Sequence, residues 1–236
     1  MLRRILNAHS KTPIECLYLE LGIIPFRFQL MKRRIMYYQL IMKRDDNEIT
    51  KAVVMRQKQT KLKGDFFIQV SHDLEALKLS ENDIRDSSEE GLKQKLEKQL
   101  HDAAYVFLMD AASKHSKVHS EIYKDLEGMK YLDDERFTPD LANLLFKFRT
   151  RMFNVKNNFR NQYKANLLCP LCRESDDSQE HLLECRVILR KLNGEQYCYR
   201  DIFSENLVSL LDITKGLKKV VKIREEMEKK STDQQL

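Results

Sequence analysis

The 17 residues from Cys169 to Cys185 read CPLCRESDDSQEHLLEC and place three cysteines and one histidine at the spacing C-x2-C-x8-H-x3-C. Thiolates and imidazoles are ligands that zinc prefers, and C-x2-C presents two thiolates from one tight turn. Residues four apart, such as His181 and Cys185, lie on the same side of a helix. The spacing therefore predicts a structural zinc site, because four protein ligands leave no open position for catalysis. The predicted ligands of this single ion are Cys169, Cys172, His181 and Cys185.

Two further cysteines, Cys16 and Cys198, lie outside this cluster. We expect both to be ordinary buried thiols, with Cys198 as the spare ligand if one of the four fails. Five cysteines at uneven spacing do not make the even-numbered framework of an extracellular disulfide protein. The cysteine pattern therefore indicates a reducing, intracellular setting, nuclear or cytoplasmic.

The composition excludes several classes of protein. The 236 residues are 42% hydrophobic and 33% charged, which is typical of a folded domain and not of a disordered chain. Only six glycines, four prolines and no tryptophan occur, a bias that favours helices over β-sandwiches and glycine-rich nucleotide-binding loops. The chain has no run of 18 apolar residues, so we expect no membrane partner.

Apolar residues recur at helical spacing along most of the chain. A Ser-x-x-Glu capping box at 87–90 and a Thr-Pro pair at 138–139 are start signals for two helices. The pattern predicts further helices over 13–21, 26–43, 73–77 and about 205–230, with the polar segment 44–65 closing as a loop. The predicted fold is mainly α, an irregular multi-helix bundle with a small CCHC zinc-knuckle-like insertion.

Charge divides the chain into unequal blocks. Residues 1–44 carry a net charge of +7, residues 45–140 carry −6, and residues 141–173 hold seven basic and no acidic side chains. Either the basic blocks form binding surfaces, or basic helices pair with acidic ones inside the protein. Charge and motifs together give four segments: 1–44, basic and helical; 45–137, an acidic helical linker region; 138–203, a basic helix with the CCHC module; and 204–236, a C-terminal helix with a polar tail.

One predicted helix, residues 141–164, combines cations with aromatic rings. Its apolar stripe is about 100° wide, and Phe146 and Phe153 lie off that stripe among the basic side chains. Cations beside aromatic rings suit backbone phosphates and stacked bases. Nucleic-acid contacts are therefore predicted at Lys147, Arg149, Arg151, Phe153, Lys156, Arg160 and Lys164. Two alternatives stay open: the phenylalanines contact a neighbouring helix or a partner chain, or the asparagine-rich run ends the helix near Met152.

Two patterns imitate catalytic sites. Tyr131-Leu132-Asp133-Asp134 has the Tyr-x-Asp-Asp order of a polymerase metal hairpin, but that chemistry needs the aspartates between two buried strands. No apolar strand flanks them, so we predict an acidic loop before Thr138. His115 and His119 are four apart, yet lysines surround them and no carboxylate stands at metal spacing. We expect no catalytic residue, no enzymatic activity and no small-molecule substrate.

Several segments resemble the region after the reverse transcriptase domain in proteins of non-LTR (LINE-like) retrotransposons. The CCHC spacing with its ending EHLLEC (180–185) is similar to the zinc-binding segment of that region. SKTPIECLYLELGIIPFRFQLMKRRIMY (10–37) resembles the thumb-proximal part, and KHSKV (114–118) and FRTRMFNVKNNFRNQY (148–163) resemble segments between thumb and zinc site. The resemblance covers roughly residues 1–203, and the polymerase fingers and palm have no counterpart in the chain.

This resemblance implies a C-terminal, thumb-proximal and zinc-binding piece of a retroelement polyprotein. It implies the same four zinc ligands, template RNA or target DNA as a partner, and a reverse transcriptase domain as a possible neighbour. The first hypothesis is thus a zinc-stabilised nucleic-acid-binding module without catalysis of its own. The second is a zinc-stapled protein–protein interaction module that docks on a polymerase or a host protein.

Overall fold

A computed structural model describes residues 2–115, 122–163 and 166–233 of the chain. Within these ranges helices dominate and no β-strand forms, which confirms the predicted mainly α, irregular multi-helix fold. The α-helices are α1 (Leu2–Ile5), α2 (Ile14–Leu21), α3 (Phe26–Met42), α4 (Ile49–Thr60), α5 (Phe66–Ala76), α6 (Glu81–Asp86), α7 (Glu89–Ser113), α8 (Pro139–Arg149), α9 (Arg160–Tyr163), α10 (Gln179–Glu184), α11 (Arg186–Leu189) and α12 (Leu207–Asp233). None of these described helices has both the length and the apolar character needed to cross a membrane.

Helices α2, α3, α7 and α12 lie where the sequence pattern predicts them, and α8 begins at the predicted Thr-Pro start. The predicted capping box at 87–90 is wrong by one residue, because Ser88 accepts the N–H of Gly91 at 3.1 Å through its Oγ. Helix α4 forms inside the polar segment 44–65, where no helix was predicted. Only Val54 of α4 is buried. The sequence of this helix therefore lacks the regular spacing of buried apolar residues by which a helix is predicted.

The chain divides into two compact units. Unit one comprises Met1–Leu21 and Ala111–Leu236, and unit two comprises Gly22–Asp110. The first helices join unit one because Leu6 and Leu17 pack with Phe146 of α8 in a small buried cluster. These units have other boundaries than the four segments drawn from charge, since hydrophobic contacts and not net charge determine them.

Helices α8 and α12 contribute about half of the buried residues in the main hydrophobic core of unit one. Helix α8 contributes Leu141, Leu145 and Phe148, spaced by four and three residues as a buried helix face requires. Helix α12 contributes Leu210, Leu211, Ile213, Leu217 and Val220. Full burial of one such side chain contributes about 1.5–3 kcal/mol. Cys169 and Cys185 belong to the same core, so the CCHC insertion is part of the interior of unit one.

Unit one also buries a carboxylate, Glu20 of α2, with no exposed surface. The hydroxyl groups of Tyr123 and Tyr131 donate to its two oxygens at 2.6 and 2.5 Å, and Nη1 of Arg149 lies 3.5 Å away. Arg149 also donates from Nε to the carbonyl of Ile202 at 2.9 Å. Burial first, and then the charge of Glu20, raises the pKa of both tyrosines well above the ordinary value. Both phenols therefore stay protonated and serve as donors.

The patterns that imitate catalytic sites take other positions. Asp133-Asp134 follows a 3₁₀ turn, Lys130–Leu132, and Asp134 pairs with Arg136 at 2.6 Å, as predicted for an acidic loop. His115 is exposed near the end of α7, and His119 lies outside the described residues.

In unit two, α3 packs with α4, α5 and α6. The buried side chains of α3 recur every three or four residues: Phe28, Met31, Ile35, Tyr38 and Ile41. Helix α6 starts at a capping box in which Ser80 and Asp83 exchange hydrogen bonds. Arg34 of α3 donates to both oxygens of Asp73 on α5 at 2.6 and 2.9 Å. An apolar face and this bidentate ion pair thus hold α3 in unit two.

We predict that Glu20→Gln lowers the free energy of unfolding by about 3–5 kcal/mol, because removal of one partner leaves the charge of Arg149 buried and uncompensated. Urea denaturation measures the change. Glu127→Gln is the matched control: Glu127 is exposed, and a surface change of this kind stays within about 0.5 kcal/mol. Equal stability of the two variants would contradict a structural role for the buried network.

Candidate metal centre

The side chains of Cys169, Cys172, His181 and Cys185 meet at one place in unit one. Their ligand atoms all lie within 4.8 Å of one another. The Sγ atoms of Cys169 and Cys185 are 4.0 Å apart, and Sγ of Cys172 is 3.2 Å from Nε2 of His181. Thiolates bound about 2.3 Å from a tetrahedral ion are roughly 3.8 Å apart. The four side chains therefore lie close enough to bind a metal ion.

A backbone hairpin forms the turn that carries Cys169 and Cys172. The N–H of Cys169 donates to the carbonyl of Ser175 at 2.8 Å, and the N–H of Asp177 donates to the carbonyl of Leu167 at 2.7 Å. These antiparallel hydrogen bonds close the loop at its base and keep the two thiols on one tight turn. The local sequence is therefore sufficient to present half of the ligand set.

Helix α10 and the junction that follows it present the other two ligands. Ser178 caps the helix, and its Oγ accepts the N–H of His181 at 3.0 Å. Cys185 lies where α10 ends and α11 begins, one helical turn after His181. The predicted relation between these two ligands is thus confirmed: a four-residue spacing on a short helix brings them to the same side.

The thiols of the cluster differ in acidity. Burial raises the pKa of Cys169 to about 11, although backbone N–H groups partly oppose the shift. Desolvation acts in the same direction on Cys172, but the N–H groups of Glu174 and Ser175 outweigh it and lower the pKa of this thiol. A thiol must lose its proton to bind a metal ion, so Cys172 is the cysteine better prepared for the first metal–sulfur bond.

Asp177, which is 1% exposed, joins the loop that carries Cys169 and Cys172 to α12. Its Oδ1 and Oδ2 accept hydrogen bonds from Nη1 and Nη2 of Arg224 at 2.8 and 2.9 Å. Oδ2 also accepts the N–H of Lys156 at 2.9 Å. Burial disfavours the charge of Arg224, but the hydrogen bonds and charge of Asp177 and Glu228 raise the pKa of the guanidinium. Three separate parts of unit one therefore meet at a single carboxylate.

The predicted helix over 141–164 is wrong, because α8 ends at Arg149 and Arg151 adopts a left-handed φ of 56°. A 3₁₀ turn, Lys156–Phe159, and the short α9 follow. Asn158 donates from Nδ2 to the carbonyl of Phe153 at 2.8 Å and to Oε1 of Gln179 at 2.7 Å. Asparagine side chains that bond the backbone in this way compete with helix formation. The alternative in which the asparagine-rich run ends the helix near Met152 is therefore the correct one.

Arg149 requires a correction, because its side chain is only 4% exposed and was predicted to contact nucleic acid. It lies against Glu20 and the carbonyl of Ile202. Arg151 is also largely buried: it pairs with Glu180, and its guanidinium lies 4.8 Å from the centre of the Tyr199 ring. The tertiary fold thus uses two of the predicted contacts to attach the end of α8 to its own neighbours.

Lys156 and Arg160 contact the loop that carries the cysteine cluster, and Phe153 contacts α8. Nζ of Lys156 donates to the carbonyl of Leu168 at 2.9 Å, and a guanidinium nitrogen of Arg160 is 3.6 Å from Oδ2 of Asp176. The Phe153 ring is half-buried and stacks on Phe148 with the ring centres 4.5 Å apart. Four of the five cations between 147 and 160 are therefore matched by acids or carbonyls of unit one itself, and Lys147 is the exception.

Two predicted contacts remain. Lys147 is half-buried and has no carboxylate within 4.0 Å among the described residues. It lines a groove of about 450 Å³ together with His9, Asn154 and Glu225. Lys164 lies outside the described residues.

The remaining cysteines are placed differently from each other. Cys16 is fully buried, as predicted, and burial raises its pKa to about 12. Cys198 is exposed, so the prediction of a buried thiol is wrong for it. Sequence reasoning missed Arg224 altogether, because no local signal links it to Asp177, which is 47 residues away.

Comparisons with known proteins give no relative for this arrangement: no protein family, curated protein or solved structure matches the chain. The resemblance to retrotransposon proteins stays an expectation from the sequence.

We predict that Asp177→Asn lowers the free energy of unfolding of unit one by about 3 kcal/mol, since it removes the buried partner of Arg224 and leaves only the more exposed Glu228 as its counter-charge. Urea denaturation gives the magnitude, and amide hydrogen exchange along α12 gives the location. The neighbouring Asp176→Asn is the control, because Asp176 is 51% exposed and pairs with Arg160 only at 3.6 Å. If both variants lose the same stability, Asp177 does not anchor α12.

Proposed function

We propose that Cys169, Cys172, His181 and Cys185 bind one structural zinc ion. The donor set of three thiols and one imidazole supports zinc over harder cations, which prefer oxygen ligands. Two of the ligands lie in the hydrophobic core of unit one, so the metal links the core to the surface loop. Four protein ligands leave no position for a substrate, and we propose no catalytic activity for this centre. Thiolate ligands require the reducing, intracellular setting that the cysteine pattern favours.

Elemental analysis of the purified full chain is expected to give one zinc ion per chain. Cys172→Ser lowers this ratio well below one, because a hydroxyl is a poor zinc ligand. Cys198→Ser keeps it at one, since Cys198 is exposed outside the cluster. A chelator reduces hydrogen-exchange protection first in the loop and in α10, whereas α7 retains its protection. An absence of zinc from the wild-type chain, or equal zinc content in both variants, would overturn the proposal.

We further propose that unit one is a nucleic-acid-binding module, and that its phosphate contacts lie on α12. Three exposed lysines of α12, at positions 215, 218 and 222, are spaced by three and four residues and share one face. Among the described residues, Lys215 and Lys218 have no carboxylate within 4.0 Å. Lys222 lies 4.0 Å from Glu226, so Lys215 and Lys218 are the cations of this face that can meet the charge of a nucleic-acid backbone without first losing a partner.

Two more cations support the same surface. Helix α11 packs against α12, and the exposed Arg190 and Lys191 follow α11 directly. The next loop is fixed on α12, because the Tyr197 ring lies over Gly216 so closely that a methyl group there would collide with it. Of the contacts predicted between 147 and 164, Lys147 also borders α12, but on a different face, in the groove lined by Glu225 and Glu228.

The metal centre has a defined role in this proposal. Asp177 belongs to the metal-binding loop and holds Arg224 of α12, so order in the loop supports the position of the lysine face. The sequence resemblance adds that a neighbouring reverse transcriptase domain would act on the bound RNA or DNA. The module then binds and positions nucleic acid, and catalysis belongs to the neighbour.

A salt titration tests nucleic-acid binding. Fluorescence anisotropy with a single-stranded RNA and a duplex DNA is expected to give a log–log salt slope of about −0.7 to −0.9 per phosphate contact. Reversal of Lys215 and Lys218 to Glu weakens binding at least tenfold and reduces the slope by about two, because two contacts are lost.

The matched control reverses Lys93 and Lys98, which are exposed on α7 in unit two and change the net charge by the same amount. This control isolates the local effect of α12 from the total charge of the chain. A salt-independent affinity, or equal loss in the two double variants, would contradict a phosphate-binding surface on α12.

A further inference from the structure

Helix α3 of unit two has a second apolar face that the described helices of the unit leave about half exposed. The side chains of Phe26, Leu30, Tyr37 and Leu40 are 64%, 38%, 47% and 52% exposed. Arg33 lies between Leu30 and Tyr37, so the five side chains stand at positions 26, 30, 33, 37 and 40. The steps along the helix alternate between four and three residues. This face is distinct from the buried face of α3, which carries the core of unit two. A helix with two apolar faces normally has two sets of neighbours.

The spacing of this outer face specifies the shape of its partner. Side chains separated alternately by four and three residues form the seam of a coiled coil, in which each inserts between residues of a facing helix. Tyr37 is already fixed in place, because its ring makes an edge contact with Phe66 with the ring centres 5.8 Å apart. A preformed row of aromatic and aliphatic side chains binds a helix with little loss of entropy.

The charge around the outer face specifies the chemistry of its partner. Residues 22–44 contain six basic and no acidic side chains. Lys32 pairs with Glu97 and Arg34 with Asp73, so the cations directed toward α7 and α5 are neutralised within the unit. Arg33, in the middle of the outer face, has no carboxylate within 4.0 Å among the described residues.

A further cation borders the face. The Arg27 guanidinium lies 4.1 Å from the centre of the Phe107 ring and 4.8 Å from that of Phe28, at the edge between the outer and the buried face of α3. An aromatic contact leaves the positive charge without a counter-ion, in contrast to an ion pair. The outer face therefore presents an apolar seam with uncompensated positive charge.

We infer that the outer face of α3 is a docking site for an acidic amphipathic helix of a partner protein. The apolar seam takes the leucine-like residues of the partner, and Arg27 and Arg33 pair with its flanking glutamates or aspartates. A second copy of this chain fits less well, because two acid-free helices would place cation against cation. Nucleic acid also fits less well, since Leu30 and Leu40 offer nothing to a phosphate.

The test uses the full chain and a fluorescein-labelled 21-residue peptide with leucine at heptad positions a and d, glutamate at e and g, and alanine elsewhere. We expect saturable binding by anisotropy and a gain of helical circular dichroism when chain and peptide are mixed. A peptide of the same composition with the leucines out of heptad spacing, and a peptide with lysine in place of glutamate, are each expected to bind at least tenfold more weakly.

Substitutions locate the site. Leu30→Ser with Leu40→Ser is expected to weaken peptide binding at least tenfold, and Arg33→Glu to weaken it and reduce its salt dependence. Both positions are exposed, so thermal melting of these variants stays close to that of the wild type. Val208→Ser is the control, because Val208 is also an exposed apolar residue (56%) but lies on α12 of unit one.

Three results would overturn this inference. The first is equal binding of the ordered and the scrambled peptide. The second is displacement of the peptide by a 20-nucleotide single-stranded RNA whose own binding is lost in the Leu30 and Leu40 variant, which identifies nucleic acid as the occupant. The third is a dimer of the wild-type chain in light scattering that these substitutions dissociate, which identifies a second copy. The variant with Lys215 and Lys218 reversed is expected to bind the peptide as the wild type does. A failure of peptide docking on α3 can therefore be distinguished from a failure of nucleic-acid binding on α12.

Discussion

The ion pair between Asp177 and Arg224 connects the loop of the candidate metal centre in unit one to the long helix α12. Both side chains are nearly excluded from water, and two parallel hydrogen bonds of 2.8 and 2.9 Å join them. A pair of this kind fixes geometry more than it adds net stability, because each charge has lost its hydration. The carboxylate of Asp177 also accepts a hydrogen bond from the backbone N–H of Lys156. The position of the segment after α8 is therefore fixed by the same carboxylate.

This constraint explains why the acid-free stretch of residues 141–173 is not a bare cationic surface. Its arginines and lysines meet acids and carbonyls from the loop and helix around the cysteine cluster: Arg151 meets Glu180, Arg160 meets Asp176, and Lys156 meets a loop carbonyl. The interpretation that basic segments pair with acidic ones inside the protein holds for these residues. Lys215 and Lys218 of α12, which have no carboxylate within 4.0 Å among the described residues, are then the better candidates for an external partner.

Prediction from sequence succeeded where the determining contacts are local. Cys169 and Cys172 share a turn, and His181 and Cys185 share a helical turn, so spacing alone identified the cluster. Long apolar periods identified α2, α3, α7 and α12. Prediction failed where a distant partner decides the conformation. The helix expected over 141–164 ends at Arg149, because Asn158 and the backbone of Lys156 bond to residues near the cluster and not to their own helix.

The sequence by itself determined the helical class of the fold, the ligand set of the candidate metal centre and the positions of the long helices, since all three follow from short-range spacing. Only the tertiary structure decided that Arg149 is buried beside Glu20, that Asp177 pairs with Arg224, and that α3 keeps an apolar face exposed. The physical reason is that burial and ion pairing depend on which distant segments meet. A basic side chain has the same appearance in a sequence whether it later faces solvent, a carboxylate or a partner.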